Sequence, residues 1–139
     1  MQEDKDKPGN PRLRALREAV RRRAETDREA QRAVNELRLV KLQEQPAPLW
    51  LVMGRMADYV VVPGGFCSCP HFTIRVMSGE TVEPCYHLVA VYIAERTGRY
   101  HDLSAALSPE EVEDVILETV YNGRSALVRR KLYRPAGRG

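Results

Sequence analysis

Three cysteines and one histidine form two short pairs whose residue types and spacing suit a metal ion. Cys67 and Cys69 make the first pair, and Cys85 and His87 make the second after fifteen intervening residues. Structural zinc sites take four nitrogen or sulfur ligands in a tetrahedron, which two short pairs on separate elements can supply. The spacing therefore predicts a zinc site with these four ligands. Such a shell is full, so it leaves no position for a catalytic water, and its net charge is about −1.

Two other arrangements of the same residues compete with this assignment. In the first alternative no metal is bound, and the same four residues are three buried free cysteines and a core histidine. His71 is a rival fourth ligand, although it would crowd three ligands into five residues, and His101 is more typical of a histidine with an ordinary structural role. An odd number of cysteines, two of them one residue apart, argues against a disulfide framework. The default environment is then the reducing cell interior, in the cytoplasm or nucleoid, or in the nucleus of a eukaryote.

The ligand pairs need turns, strands and a helix to hold them. Apolar runs at residues 49–53 and 59–62, on either side of a turn, predict a β-hairpin, and a sharp turn at 63–65 leads into Cys67. Alternation at 72–76 predicts a half-buried strand. Residues 87–97 predict a helix that Gly98 can end. The positive end of its dipole would favour a thiolate at Cys85.

The flanking segments differ from this centre in charge. Residues 50–123 carry four Lys and Arg against ten Asp and Glu, whereas residues 124–139 carry six against none. We predict disorder at 1–10, one amphipathic basic helix at 11–45, a zinc module at 46–105, and a C-terminal helix with a basic tail at 106–139. The fold class expected is α+β, with a small antiparallel sheet, the zinc site and flanking helices.

A strong start signal opens the C-terminal helix. Ser108 can be the N-cap, Pro109 fits the first helical position, and Glu111 completes a capping box. One face of the helix is then expected to be apolar, and residues 122–123 are expected to break it. That face comprises Val112, Val115, Ile116 and Val120.

The basic segment at residues 11–45, called the first arm below, carries a thin apolar stripe. This stripe predicts a protein interface. Charge alone would also fit a solvated helix face. Docking of the stripe onto the chain's own sheet is the alternative, since Trp50 and Tyr59 need cover. The stripe consists of Leu13, Leu16, Val20, Val34 and Leu37.

The basic tail predicts contacts with single-stranded nucleic acid. Basic side chains can follow phosphates, and Tyr133 could stack on an unpaired base. A solvated terminus without a target, or a surface for an acidic protein, is the alternative. The candidate residues are Arg124, Arg129, Arg130, Lys131 and Arg134.

The ligand pattern, CxC followed by CxH, resembles the SWIM zinc finger. The wider runs FCSCPHF at 66–72 and CYHLVAVY at 85–92 resemble the small SWIM proteins of the Shu-type homologous-recombination complex. The resemblance covers about residues 49–105, and all four ligands match. It implies a protein that is not an enzyme, that pairs with a RecA/Rad51-family ATPase paralogue, and that supports DNA recombination and repair.

Several classes of protein fit the sequence poorly. No run approaches the roughly 18 apolar residues that a membrane span needs, and the polar amino terminus does not resemble a signal peptide. A GxxxxGK[ST] phosphate loop is absent from the sequence. We therefore expect a non-catalytic recombination subunit that binds zinc, a RecA-like partner and single-stranded DNA in a hetero-oligomer. A freestanding nucleic-acid-binding regulator is the alternative, and an enzyme with catalytic zinc is a weaker third.

Overall fold

The computed structural model describes residues 9–133 of the 139-residue chain. The disorder expected at 1–10 therefore lies almost wholly outside the described residues, as does Arg134. The elements in chain order are α1 (Pro11–Arg23), α2 (Arg28–Asn35), β1 (Leu39–Gln43), β2 (Leu49–Met53), β3 (Asp58–Val62), β4 (Phe66–Cys67), a π-helical segment (His71–Val76), α3 (Tyr86–Thr97), β5 (His101–Asp102), α4 (Pro109–Asn122) and α5 (Ala126–Tyr133). None of the helices in this part of the chain is long and apolar enough to cross a membrane.

The strands form one mixed sheet in the order β4-β3-β2-β1-β5. The expected hairpin is confirmed: β2 and β3 are antiparallel, with Val52 opposite Tyr59. β1 and β5 run parallel, with Val40 opposite His101. The α+β class is confirmed. The sheet was expected to be small and antiparallel, but it has five strands and is mixed, because the first arm contributes β1 and β5 pairs with β1 in parallel.

Helices cover both faces of the sheet, so side chains on both faces of the central strands are buried. Along β2, Trp50 and Val52 join a core with α1, α2 and α3, whereas Leu51 and Met53 join a second core with α4 and α5. This is the two-residue period of a strand with each face packed. The cysteine ligands belong to the first core.

The single helix expected at 11–45 is wrong. α1 ends at Arg23, and Asp27 then caps α2, its side chain accepting a hydrogen bond from the amide of Ala30 at 3.0 Å. Leu37 has a φ of 56°, which reverses the chain into β1. An aspartate in the apolar seam is better satisfied as an N-cap than inside a helix, and this preference divides the arm.

The strand expected at 72–76 is also wrong, because this segment is π-helical. Phe72 and Val76 are buried, but Ile74 between them is 65% exposed. The amide of Met77 bonds to the carbonyl of Phe72, a five-residue step that defines this geometry. Alternation over five residues is too short to distinguish a strand from a helical turn that buries only its two ends.

The C-terminal helix α4 has the expected capping box at Ser108 and Glu111, and it ends at Gly123 in the left-handed region. The buried face of α4 differs from the predicted apolar face at one position. Thr119 is buried, whereas Val120 is 62% exposed, because a seven-residue step from Val112 returns to the buried face and an eight-residue step overshoots it. Within the tail, residues 126–133 form α5.

Candidate metal centre

Cys67, Cys69, Cys85 and His87 lie together, with one ligand atom from each within 4.8 Å of the others. All four side chains are buried. Cys67 ends β4, Cys69 precedes the π-helical segment, and the second pair opens α3. The four residues that the spacing selected are therefore brought to one point by three elements.

The turn between β3 and β4 sets the position of the first ligand pair. Gly64 has a φ of 73°, which favours glycine, and the amide of Gly65 bonds to the carbonyl of Val62 at 3.0 Å. Ser68 pairs with β3 through both its amide, which donates to the Val60 carbonyl, and its hydroxyl, which accepts from the Val60 amide at 2.9 Å. Ser68 is thereby bound to the sheet edge between the two cysteines.

The start of α3 sets the position of the second pair. Cys85 is the N-cap with an extended backbone (φ −72°, ψ 161°), so that His87 lies in the first turn. The backbone amide of Leu88 lies close to the sulfur of Cys85, and the backbone amide of Phe72 lies close to the sulfur of Cys69. Such amide donors stabilise thiolates, which are the form of cysteine that binds a metal.

The thiols interact strongly with one another. The pKa of Cys69 is lowered because its sulfur accepts hydrogen bonds first from Cys67 and then from Cys85, while the pKa of Cys67 is raised by the same contact. Three sulfurs that share protons at this distance are a cluster that a divalent cation can neutralise.

The donor set and its surroundings fit zinc. Nδ1 of His87 is buried and has no hydrogen-bond partner among the described residues, which is costly unless a metal or water satisfies it. Zn–S bonds of about 2.3 Å in a tetrahedron place sulfurs roughly 3.8 Å apart, which is compatible with the observed cluster. Zinc bound here completes its shell with protein ligands and acts as a structural cross-link.

Two tyrosine rings fix the imidazole. The ring of Tyr86 lies 4.1 Å from that of His87, centroid to centroid, and the ring of Tyr59 lies at 4.7 Å on β3. Burial, and then the nearby thiolate of Cys69, raises the pKa of Tyr59. Sequence analysis missed both tyrosines as parts of the site, although the position of Tyr86 inside the CxH pair was a usable signal.

The rival histidines have other roles. Nε2 of His71 lies 2.9 Å from the carbonyl oxygen of Glu83 and takes no part in the cluster. His101 lies on β5 and pairs with β1. His87 is therefore the fourth ligand, as the spacing predicted.

Three arginines of α1 attach this helix to segments that flank the ligands. Arg17 donates to the carbonyl of Gly64, ahead of Cys67, at 3.2 Å. Arg12 donates to the carbonyl of Val76, at the end of the π-helical segment, at 2.6 Å. Arg23 donates to the carbonyl of Pro84, next to Cys85, at 2.6 Å. Part of the basic charge of the first arm thus holds the metal centre in place.

The apolar stripe predicted as a partner interface lies mostly inside the chain's own first core. Leu16, Val20 and Val34 are each 3% exposed, Leu13 packs against the same core, and Leu37 is 38% exposed. The assignment of this stripe to a partner is corrected accordingly. The alternative, docking onto the chain's own sheet, describes these residues, because the apolar faces of α1 and α2 cover the sheet.

The basic residues predicted to bind nucleic acid have mixed environments. Arg129 forms a forked ion pair with the fully buried carboxylate of Asp58, at 2.6 and 2.9 Å, so its role is structural. Arg124 donates to the carbonyl of Arg55, and Lys131 lies 3.4 Å from Glu111. Arg130 is exposed. The assignment of Arg129 to DNA is corrected, because its guanidinium is already engaged by a buried charge.

Comparison with known proteins identifies the centre. Residues 52–95 match the SWIM zinc finger model, a segment that contains all four ligands. The chain is also 39% identical over 56 residues to an uncharacterised protein of Archaeoglobus fulgidus, a match that covers 40% of this chain and 45% of that protein. The chain thus matches less than half the length of this relative. No solved structure matches the chain. This protein carries a SWIM-type zinc finger and binds zinc through it.

Proposed function

We propose that the chain is a non-catalytic subunit that supports DNA recombination and repair, pairing with a RecA-like ATPase and assisting its binding to single-stranded DNA. The observation that carries the proposal is the metal centre itself. Four buried protein ligands complete a tetrahedral shell, so the zinc organises a surface and does not activate a water. A structural zinc module of SWIM type suits a subunit that recognises other macromolecules.

Residues around the ligands favour this role over other uses of a SWIM finger. The runs at 66–72 and 85–92 resemble the small SWIM subunit of the Shu-type complex beyond the ligands alone. The structure uses several of these flanking residues: Phe66 and Phe72 pack edge to face at 5.6 Å, and Tyr86 flanks His87. These residues stabilise the conformation of the zinc module. The surface of this module is what a partner would recognise.

An exposed apolar strip on α4 is the surface that we assign to the ATPase. Leu117, Val120 and Tyr121 are 47%, 62% and 80% exposed and lie at three- and four-residue steps. Apolar side chains clustered on a helix face commonly mark a protein interface. This strip replaces the buried stripe of the first arm as the candidate docking surface.

Affinity purification of the tagged chain from its native host, followed by mass spectrometry, tests the pairing. We expect a RecA-like ATPase that co-purifies in about equal amount. Val120→Glu with Tyr121→Glu should abolish its recovery while zinc content stays unchanged, because both side chains are exposed. Ile74→Glu, an equally exposed apolar position on the π-helical segment, is the matched control and should retain the partner.

Absence of any ATPase from the purified material would contradict the proposal. A chain that has no stable partner and still binds nucleic acid would instead be a freestanding regulator. Recovery of the ATPase with the α4 variant would retain the pairing but reject the assigned surface.

A further inference from the structure

A cavity of about 280 Å³ lies beside the zinc centre, on the side of His87. Tyr59, Tyr86 and His87 line it from α3 and β3, and arginines line it from α2, from the segment before β1 and from the β2–β3 turn. Its size is near the lower end of small-ligand pockets, which are on the order of 300–1,000 Å³. The cavity therefore combines aromatic faces with cationic side chains.

Two of the arginines are free to meet a ligand. The side chains of Arg32 and Arg55 are exposed and form no hydrogen bond or ion pair with another described residue. Arg38 differs, because it donates to the carbonyl of Met53 and lies 3.1 Å from Glu36. Among the described residues that line the cavity, Glu29 is the one carboxylate. The cavity thus keeps a positive excess that suits an anion.

The aromatic face is rigid. The ring of His87 packs against those of Tyr86 and Tyr59, and both tyrosines are half-buried, so each ring keeps one part available to solvent. A fixed ring loses little conformational entropy when a second ring stacks on it. Stacking on aromatic side chains tolerates any base, since every base has a π-face.

The geometry points to a binding site for one unpaired nucleotide of single-stranded DNA, with the base against Tyr86 and the adjoining phosphates at Arg32 and Arg55. The zinc site next to His87 has three thiolates and a net charge of about −1. This negative charge repels phosphates and so favours their position at the arginines. This inference rests on the proposed function for the choice of DNA. It assigns the contact to Arg32, Arg55 and Tyr86, none of which belongs to the C-terminal tail, although Arg124 of that tail donates to the carbonyl of Arg55.

Fluorescence anisotropy with a labelled oligothymidine and the full zinc-loaded chain tests the site. Arg32→Ala with Arg55→Ala should weaken binding and flatten the slope of log affinity against log salt by about 1.4, at roughly 0.7 per phosphate contact. Arg22→Ala with Arg28→Ala removes the same charge from exposed positions outside this cavity and is the matched control. The control pair should leave the slope unchanged.

The stacking contact has its own pair of variants. Tyr86→Leu should weaken binding at least about fivefold, the lower bound for one stacked base, whereas Tyr86→Phe should retain the affinity. Elemental analysis of both variants verifies that each keeps its zinc, so that a loss of affinity reports the missing ring and not a lost fold.

Equal losses in the cavity pair and the control pair would overturn the site, because binding would then follow net charge alone. Full affinity in Tyr86→Leu would overturn the stacking contact. These results are independent of the ATPase: a chain that lacks the partner but binds through Arg32 and Arg55 retains the site and rejects the pairing. A chain that recovers the partner but does not bind oligothymidine rejects the site alone.

Discussion

At the residue scale, the environment of His87 gives the clearest indication of a bound metal. Its Nδ1 is buried without a hydrogen-bond partner among the described residues, and two tyrosine rings hold its imidazole in one orientation. A buried unpaired nitrogen costs about 1–3 kcal/mol when nothing satisfies it. Zinc coordination through Nδ1 would remove that cost.

Removal of one ligand should release the metal. Cys85→Ala should lose the zinc and unfold the ligand segments, because metal affinity at a structural site is folding free energy. His71→Ala should keep about one zinc per chain, because His71 contacts the Glu83 carbonyl and not the cluster. Elemental analysis after gel filtration measures both. Zinc loss from His71→Ala together with zinc retention in His87→Ala would reverse the assignment.

The ion pair between Arg129 and Asp58 should be a main contribution to stability in the second core. Arg129→Ala leaves a fully buried carboxylate without its cation, so we expect the free energy of unfolding to fall by about 3–5 kcal/mol. Urea denaturation measures the change. Arg130→Ala, next to it but exposed, is the control and should change stability by less than about 0.5 kcal/mol. A similar small change in both variants would refute the structural role of Arg129.

Residue types and spacing were sufficient to find the metal ligands but not the role of Arg129. The four ligands fall into two local pairs, and zinc accepts few donor sets, so local pattern identifies them. The partner of Arg129 lies 71 residues away along the chain, on β3. A basic residue in a basic tail has no local signal of a distant buried carboxylate.

At the scale of elements, α1 is hydrogen-bonded to three segments around the metal ligands. Its arginines donate to the carbonyls of Gly64 in the turn before Cys67, of Val76 at the end of the π-helical segment, and of Pro84 next to Cys85. Arg23 also pairs with Asp27 at 2.6 Å, and Asp27 caps α2. The break between the two helices therefore also orients the arginine that reaches Pro84.

Asp27→Ala should weaken both helices at their junction. It removes the α2 cap and the partner of Arg23, so we expect a loss of about 1–2 kcal/mol in the free energy of unfolding. Chemical denaturation of the zinc-loaded chain is the measurement. Thr26→Ala, an exposed neighbour, is the control and should be nearly neutral. Equal stability of the two variants would show that the cap contributes nothing.

Elements with strong local signals were predicted and those set by tertiary contacts were not. The hairpin, α3 with Gly98, and the capping box of α4 follow from turn and cap chemistry. β1 was hidden inside an apparent helical period, because Leu39 pairs with β2, and Val40 with β2 and β5, only in the folded sheet. The π-helical segment similarly depends on the burial of Phe72 and Val76.

At the scale of the whole molecule, the sheet separates two cores and zinc belongs to one of them. The cysteine ligands pack with α1, α2 and α3, whereas α4 and α5 pack against the opposite face. The metal therefore stabilises one layer directly and the other only through the sheet. Local stability in such a molecule is not uniform.

Zinc removal should affect the two layers unequally. After chelation, hydrogen exchange should accelerate most in residues 63–87, which hold the ligands, and least in α4 and α5, whose core contains Val115 and Val128. Hydrogen–deuterium exchange with mass spectrometry resolves the two. Uniform acceleration over the described residues would show instead that the fold is lost as one unit.

X-ray absorption at the zinc edge of the purified chain tests the central claim most directly. We expect about three sulfur neighbours near 2.3 Å and one nitrogen neighbour near 2.0–2.1 Å, since Cys67, Cys69, Cys85 and His87 form a closed shell. Fewer than three sulfurs, or an added oxygen from bound water, would contradict a structural site with four protein ligands. The non-catalytic role proposed for this module would then lose its main support.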